Sequence, residues 1–266
     1  MWTPFIASLV AALLGGATLL TPDQPKVLEG GLRSSRAVLV ALHGGSRRFK
    51  SSEELARALL NELDAPARRV GVRILVPVLP DEARGWRGET QGPQGVTVHD
   101  GSVPWISPPG EQAVRDLVTR AVERERADPE RVGLAGHGAG GSAAILLAAR
   151  DPQRFSGLVL WSTSPAPYWD AQQRVNGLVE EPVPRLRGLG LYLWTGEDDE
   201  QLDRPAVALL LDGWAAEVKR AGGRSAIHEH GEGGHGFGKQ GVRRGLKAFK
   251  AWRGHGGSKV GGRERR

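Results

Sequence analysis

The sequence predicts an α/β domain built on a mostly parallel sheet of six or more strands with helices on both faces, and three observations carry that prediction. Apolar runs of strand length alternate with segments of helical periodicity along the 266-residue chain, the pattern that gives a parallel sheet with right-handed crossovers. The composition, 39% hydrophobic and 25% charged, suits one ordinary core. Third, Arg131-Val-Gly-Leu-Ala-Gly-His-Gly-Ala-Gly-Gly-Ser142 is a short apolar strand running into a Gly-rich turn, followed by an alanine-rich helix over Ser142 to Arg150.

In chain order, Met1 to Thr21 has no charged side chain, and Phe5 to Leu20 is almost wholly apolar. Residues 1–22 are expected to be an export signal: Phe5 to Leu14 supplies the apolar region and Gly15-Gly16-Ala17 the small residues of a cleavage site, although a basic start is missing. An uncleaved membrane anchor, slightly short of the about 20 residues a span needs, and a buried N-terminal helix are the alternatives. The expected location is therefore periplasmic, extracellular or anchored at a membrane by this segment. The globular domain is expected over residues 23–253.

After a Pro-containing linker, Arg36 to Leu42 reads as a strand buried on both faces and ends at His43-Gly44-Gly45. Ser51-Ser-Glu-Glu54 forms a capping box, and Leu55, Leu59 and Leu63 follow at helical spacing. Val72 to Val78 is the next strand. A long irregular segment, Pro80 to Gly110, holds Trp86 and Trp105; loops of that length are usually functional or disordered, and both tryptophans are candidate walls of a pocket at the carboxyl ends of the strands. The other reading is that they pin the loop to the core. Val114, Leu117, Val118, Ala121 and Val122 mark a helix ending near Asp128-Pro129. Beyond the Gly-rich turn, Gly157 to Trp161, Gly190 to Trp194 and Ser225 to His230 are strands, with helices over Pro205 to Ala221 and Lys239 to Trp252. The segment from Ser162 to Leu189 is too short for a large cap domain. The formal charge is +6, of which Arg253 and the Gly-rich tail 254–266 supply +4 through Arg253, Lys259, Arg263, Arg265 and Arg266 against Glu264. That tail reads as a solvated, disordered end, and no nucleic-acid partner is expected. With no cysteine in the chain, neither disulfides nor a thiolate metal site can form.

Aligned on its glycines, Gly136-His137-Gly138-Ala139-Gly140-Gly141 resembles the Gly-His-Ser-Ala-Gly-Gly nucleophile elbow of α/β-hydrolases, and the phrase from Ala127 to His137 is similar to its counterpart in phospholipase/carboxylesterase-like and dienelactone hydrolase-like esterases. Trp194-Thr-Gly-Glu-Asp-Asp199 resembles the turn that carries the triad acid, and Gly231-Glu-Gly-Gly-His-Gly-Phe237 the turn that presents the histidine. The order elbow, acid, histidine is the one this family uses. The resemblance, which spans roughly residues 36–253, implies Asp199 as the acid, with Asp198 as competitor, and His235 as the base. It also implies an oxyanion hole near Gly44, Gly45 and Ala139, and His137 beside the pocket. A small-molecule ester or related ligand and no cofactor are implied; the elbow glycines fit neither a phosphate loop nor a dinucleotide fingerprint.

Gly138 stands at the nucleophile position, where glycine has no group to attack with. Ser142, one helical turn on, is expected to point along its helix. Three readings follow. The chain is a hydrolase-fold protein that keeps its pocket for binding, or an enzyme that uses Asp199–His235 with water, or a serine esterase whose nucleophile is altered in this sequence. His228 and His230, two apart on a strand, face the same side. They are expected to form a polar strip, not a metal site, because no third ligand stands at a recognisable spacing.

Overall fold

A computed structural model describes residues 26–44, 51–80, 83, 89–91, 97–99, 104–163, 185–199 and 204–252; the expected signal or anchor, Gly45, Trp86 and the basic tail lie outside them. Nine strands and five α-helices are formed among the described residues: β1 (Val27–Gly31), β2 (Val38–Leu42), α1 (Ser52–Val70), β3 (Arg73–Pro77), β4 (Glu89–Gln91), β5 (Thr97–His99), α2 (Pro108–Glu123), β6 (Val132–His137), α3 (Ala139–Arg150), β7 (Gly157–Trp161), β8 (Gly190–Gly196), α4 (Arg204–Arg220), β9 (Ser225–Gly231) and α5 (Lys239–Ala251). Seven strands make one sheet in the order β1-β3-β2-β6-β7-β8-β9, while β4 and β5 form a separate antiparallel pair. Within the large sheet only the β1–β3 pairing is antiparallel. β1 falls in the stretch that the sequence reads as a linker.

Alternate side chains of a strand point to opposite faces, and β2 divides accordingly. Val38, Val40 and Leu42 enter one core, with Leu117 of α2, Ile145 of α3 and Trp214 of α4. Leu39 and Ala41 enter a second, with Leu59 and Leu63 of α1 and Leu246 and Phe249 of α5. α1 begins on the predicted capping box, Ser51 accepting from the Glu54 amide at 3.1 Å and the Ser51 amide donating to Glu54 at 3.3 Å, and it stops at Gly71 in the left-handed conformation, φ 81°. α5 is amphipathic and delivers Trp252 to the underside of the sheet. A Cβ on Gly157 or Gly190 would stand 2.4 or 2.2 Å from that indole, so the ring lies flat across two adjacent strands where only glycine leaves room.

The chain winds outward from β2 to β3 on one side and from β6 through β9 on the other. The carboxyl ends of β2 and β6 therefore flank the point where the winding reverses, the place where open α/β sheets hold ligands. Pairing of Leu42 with Gly136 brings His43-Gly44 and His137-Gly138 side by side at this point. Among the described residues no helix is long and apolar enough to cross a membrane.

Candidate active site

The Gly-rich turn is tighter than the sequence suggests: α3 starts at Ala139, three residues before the predicted Ser142. Glycines permit the early start. A Cβ on Gly136 would come 2.3 Å from the Gly141 amide, and one on Gly140 would come 2.2 Å from the Leu42 carbonyl, so strand, turn and helix meet backbone to backbone. Gly138 itself has φ 52° and ψ −124°, a conformation an L side chain adopts only under strain. It caps α3 without a side-chain hydrogen bond, which leaves the first amides of the helix, Ala139 foremost, without a carbonyl partner inside the helix. These amides and the positive end of the helix dipole suit a developing negative charge. Gly44 approaches the same point, since a Cβ built on it would lie 3.5 Å from the Ala139 nitrogen. Ser142 is buried in α3 and its amide donates to the Gly138 carbonyl at 3.2 Å.

Asp199 and His235 meet above this turn. Asp199 is fully buried, and His235 Nδ1 lies 3.0 Å from both of its carboxylate oxygens. A carboxylate only accepts, so Nδ1 carries the proton and the Nε2 lone pair faces outward. It faces Gly138: a Cβ there would stand 3.5 Å from Nε2. Asp198, the competitor for the acid position, is exposed. Backbone bonds fasten the acid turn to the histidine turn, with the Glu197 amide donating to the Gly231 carbonyl at 2.8 Å and the Asp198 amide to that of Gly233 at 2.7 Å.

His137 sits beside the pair, its ring centroid 4.9 Å from that of His235 and 4.6 Å from that of Phe237. Burial, then the neighbouring His235, push its imidazole down to about 4 against the opposing pull of Asp199. Its Nε2 is buried with no hydrogen-bond partner. A neutral His137 therefore flanks the site as a largely apolar wall.

His43 anchors the other side. Its Nδ1–H donates to the Gly44 carbonyl at 3.1 Å, Ser52 donates to its Nε2 at 3.0 Å, and the Leu79 amide donates to Ser52 at 3.0 Å. Every group in this chain is satisfied only by a neutral imidazole, and burial holds His43 at about 4. Trp105 is 1% exposed, stacks edge-on against His43 and donates its indole N–H to the His43 carbonyl at 2.9 Å. Of the two readings of that tryptophan, the structure has the core one: it pins the end of β2 below the surface.

Two residues that the sequence analysis did not single out support the histidine turn. Ser162, at φ 44°, donates from its hydroxyl to the Gly236 carbonyl at 3.0 Å, next to His235. Trp194, buried in β8, underlies the turn, where a Cβ on Gly231 would stand 3.1 Å from its indole nitrogen. The only local signal for either was position: Ser162 follows a strand end, and Trp194 precedes the acid turn. His228 and His230 lie on β9 as expected, but a third ligand-bearing side chain, Asp212 of α4, stands beside them.

A family model described as "Esterase: Putative esterase" matches residues 111–254. The solved structure of TT1662 from Thermus thermophilus is similar over 85% of this chain and 92% of its own, with a TM-score of 0.58 at 23% identity. The glucuronoyl esterase from Solibacter usitatus covers 86% of this chain and 78% of its own, at 16% identity and a TM-score of 0.57. The Bacillus cereus carboxylesterase covers 86% and 94%, at 15% identity and a TM-score of 0.53. At these identities the likeness is one of fold. No curated protein matches the chain significantly.

Proposed function

Because this chain belongs to the esterase family of the α/β-hydrolases, we propose that Gly138 occupies its nucleophile position, and that the protein binds a carboxylic ester or related acyl compound there without forming an acyl-serine. One observation carries the proposal: the atom that faces His235 Nε2, at 3.5 Å, is a Cβ that Gly138 does not have. In the acyl-transfer reaction of this fold a serine hydroxyl attacks, the histidine takes its proton, the acid orients the imidazole and backbone amides hold the oxyanion. In this chain the last three components have counterparts, in His235, Asp199 and the Ala139 amide with Gly44 nearby. An ester carbonyl laid over Gly138 would direct its oxygen to that amide and its carbon toward Nε2. His137 and Phe237 would flank it as apolar surface.

A second reading is favoured by the 3.0 Å hydrogen bond between His235 and Asp199. A water in the space of the missing hydroxyl would donate to Nε2. As His235 takes its proton, the hydroxide adds to the carbonyl carbon, the oxyanion rests at the Ala139 amide, and the imidazolium returns the proton to the departing alkoxide, leaving acid and alcohol. General-base catalysis of this kind is worth about 10²–10⁴-fold, whereas loss of the serine costs a triad hydrolase about 10⁶-fold. Hydrolysis by this route would be slow.

The test is incubation with p-nitrophenyl esters of several acyl lengths, alongside His235→Ala and a fluorophosphonate probe. The expected results are no stoichiometric labelling and saturable ester binding. Slow turnover that disappears in His235→Ala selects the water route, and turnover indifferent to His235→Ala leaves binding alone. Stoichiometric labelling would overturn the proposal, because it requires an activated serine.

A further inference from the structure

Away from the candidate active site, the edge of the sheet brings together ligand chemistry that the spacing of the sequence does not reveal. β9 is the last strand of the sheet, and its even-numbered side chains face α4. Asp212, on that helix, lies sixteen residues before His228 in the sequence and meets it in space, with His228 Nδ1 2.8 Å from the Asp212 carboxylate. The His228 and His230 rings are 4.2 Å apart between centroids. One ligand atom from each of Asp212, His228 and His230 falls within 4.8 Å of the others.

We propose that Asp212, His228 and His230 form a binding site for a divalent transition-metal cation of the zinc type, clamping α4 to the edge strand β9. Two imidazoles and a carboxylate are an accepted ligand set for Zn²⁺, with a fourth position for water. Ligands about 2.0–2.1 Å from a tetrahedral ion stand about 3.3 Å from each other, so the 2.8 Å contact between His228 and Asp212 opens by only about half an ångström to admit the ion. The exposed Asp212 and His230 side chains give it a path from solvent, while the His228 side chain is 2% exposed and fixes the inner wall.

The surrounding hydrogen bonds suit the same exchange. Without a metal, His228 Nδ1–H donates to Asp212, and Thr195 Oγ1, 3.1 Å from Nε2, donates to that nitrogen. With the metal on Nδ1, the ring proton moves to Nε2 and donates back to Thr195, whose hydroxyl serves either role. Holding the distal nitrogen of a metal-bound histidine in this way fixes its tautomer and orientation.

The experiment is titration of the untagged full chain with Zn²⁺ by calorimetry, and with Co²⁺ followed by its visible absorption, beside His230→Ala, Asp212→Asn and Thr195→Val. One ion per chain is expected, with tetrahedral cobalt absorption. At about 100-fold excess over Kd, the melting temperature should rise by about 5–10 °C. His230→Ala and Asp212→Asn should each abolish the saturable event, and Thr195→Val should weaken it about 10–100-fold. Saturable binding that survives both ligand substitutions in folded variants, or no saturable binding of either cation by the parent chain, would overturn the proposal.

Discussion

Replacing Gly138 by serine tests the geometry of the elbow most directly, because the structure separates its two consequences. The backbone at φ 52° and ψ −124° is one that a non-glycine residue holds at a cost of about 1–3 kcal/mol. No packing penalty adds to this, since the nearest atoms to the new Cβ are His235 Nε2 at 3.5 Å and Cε1 at 4.0 Å, which is ordinary van der Waals contact. For a domain of this size each kcal/mol lowers the melting temperature by about 2–4 °C, so Gly138→Ser should lose about 2–12 °C. The hydroxyl then comes within about 2.6–3.2 Å of Nε2, the reach a general base requires. With the Asp199–His235 pair already in place, p-nitrophenyl ester turnover should rise by at least about 10³-fold, and fluorophosphonate should label the variant one to one. Adding His235→Ala should return activity to the starting level. A folded Gly138→Ser that neither reacts with the probe nor hydrolyses esters would refute the assignment of Gly138 to the nucleophile position. Unchanged stability would refute the strain argument.

The remaining predictions concern the frame around the site. His43 is held at about 4 against an ordinary 6.5, so the unfolded chain takes up its proton first as pH falls. Its contribution is complete above about pH 6.5 and is lost progressively down to about pH 4, on the order of 3 kcal/mol; denaturant titrations across that window should show His43→Asn with a shallower slope than the parent, and equal slopes would refute the assignment. Gly196→Ala should loosen the acid and histidine turns together, because its Cβ would stand 2.2 Å from the Gly233 carbonyl. A loss of about 1–3 kcal/mol, read by thermal melting, is expected, and a variant as stable as the parent would show that the turns are not locked at this point.

The buried strands were legible because each is a continuous apolar run between turn residues, and the parallel order follows from their alternation with helices. β1 was not legible. Val-Leu-Glu-Gly-Gly is short and pairs antiparallel with β3 at the sheet edge; Val27 and Leu28 are only partly buried, one against each core, and the two fully buried positions are glycines, so no apolar run marks the strand. The acid and histidine turns declare themselves through glycines, which mark positions where backbones touch. Ser162 and Asp212 carry no such mark. One acts through a single hydroxyl bond to Gly236, the other through the rotational setting of a helix against a strand, and neither relation has a spacing. Trp105 shows the limit from the other side: an aromatic residue in a long loop fits a pocket wall and a buried pin equally well, and only the hydrogen bond to His43 distinguishes them.

The indole of Trp252 under Gly157 and Gly190 sets the order in which the protein can be made. The strands it covers emerge from the ribosome long before it does, at about 5–20 residues per second, and until α5 follows, the underside of β7 and β8 stays open to water or to another unfinished chain. A translation product halted before Lys239 would carry every strand of the sheet and every element of the Gly138 turn, yet leave a wet apolar floor. Emergence of α5 covers the underside of β7 and β8, so a reporter fused after Trp252 would appear at nearly the moment that this apolar floor closes.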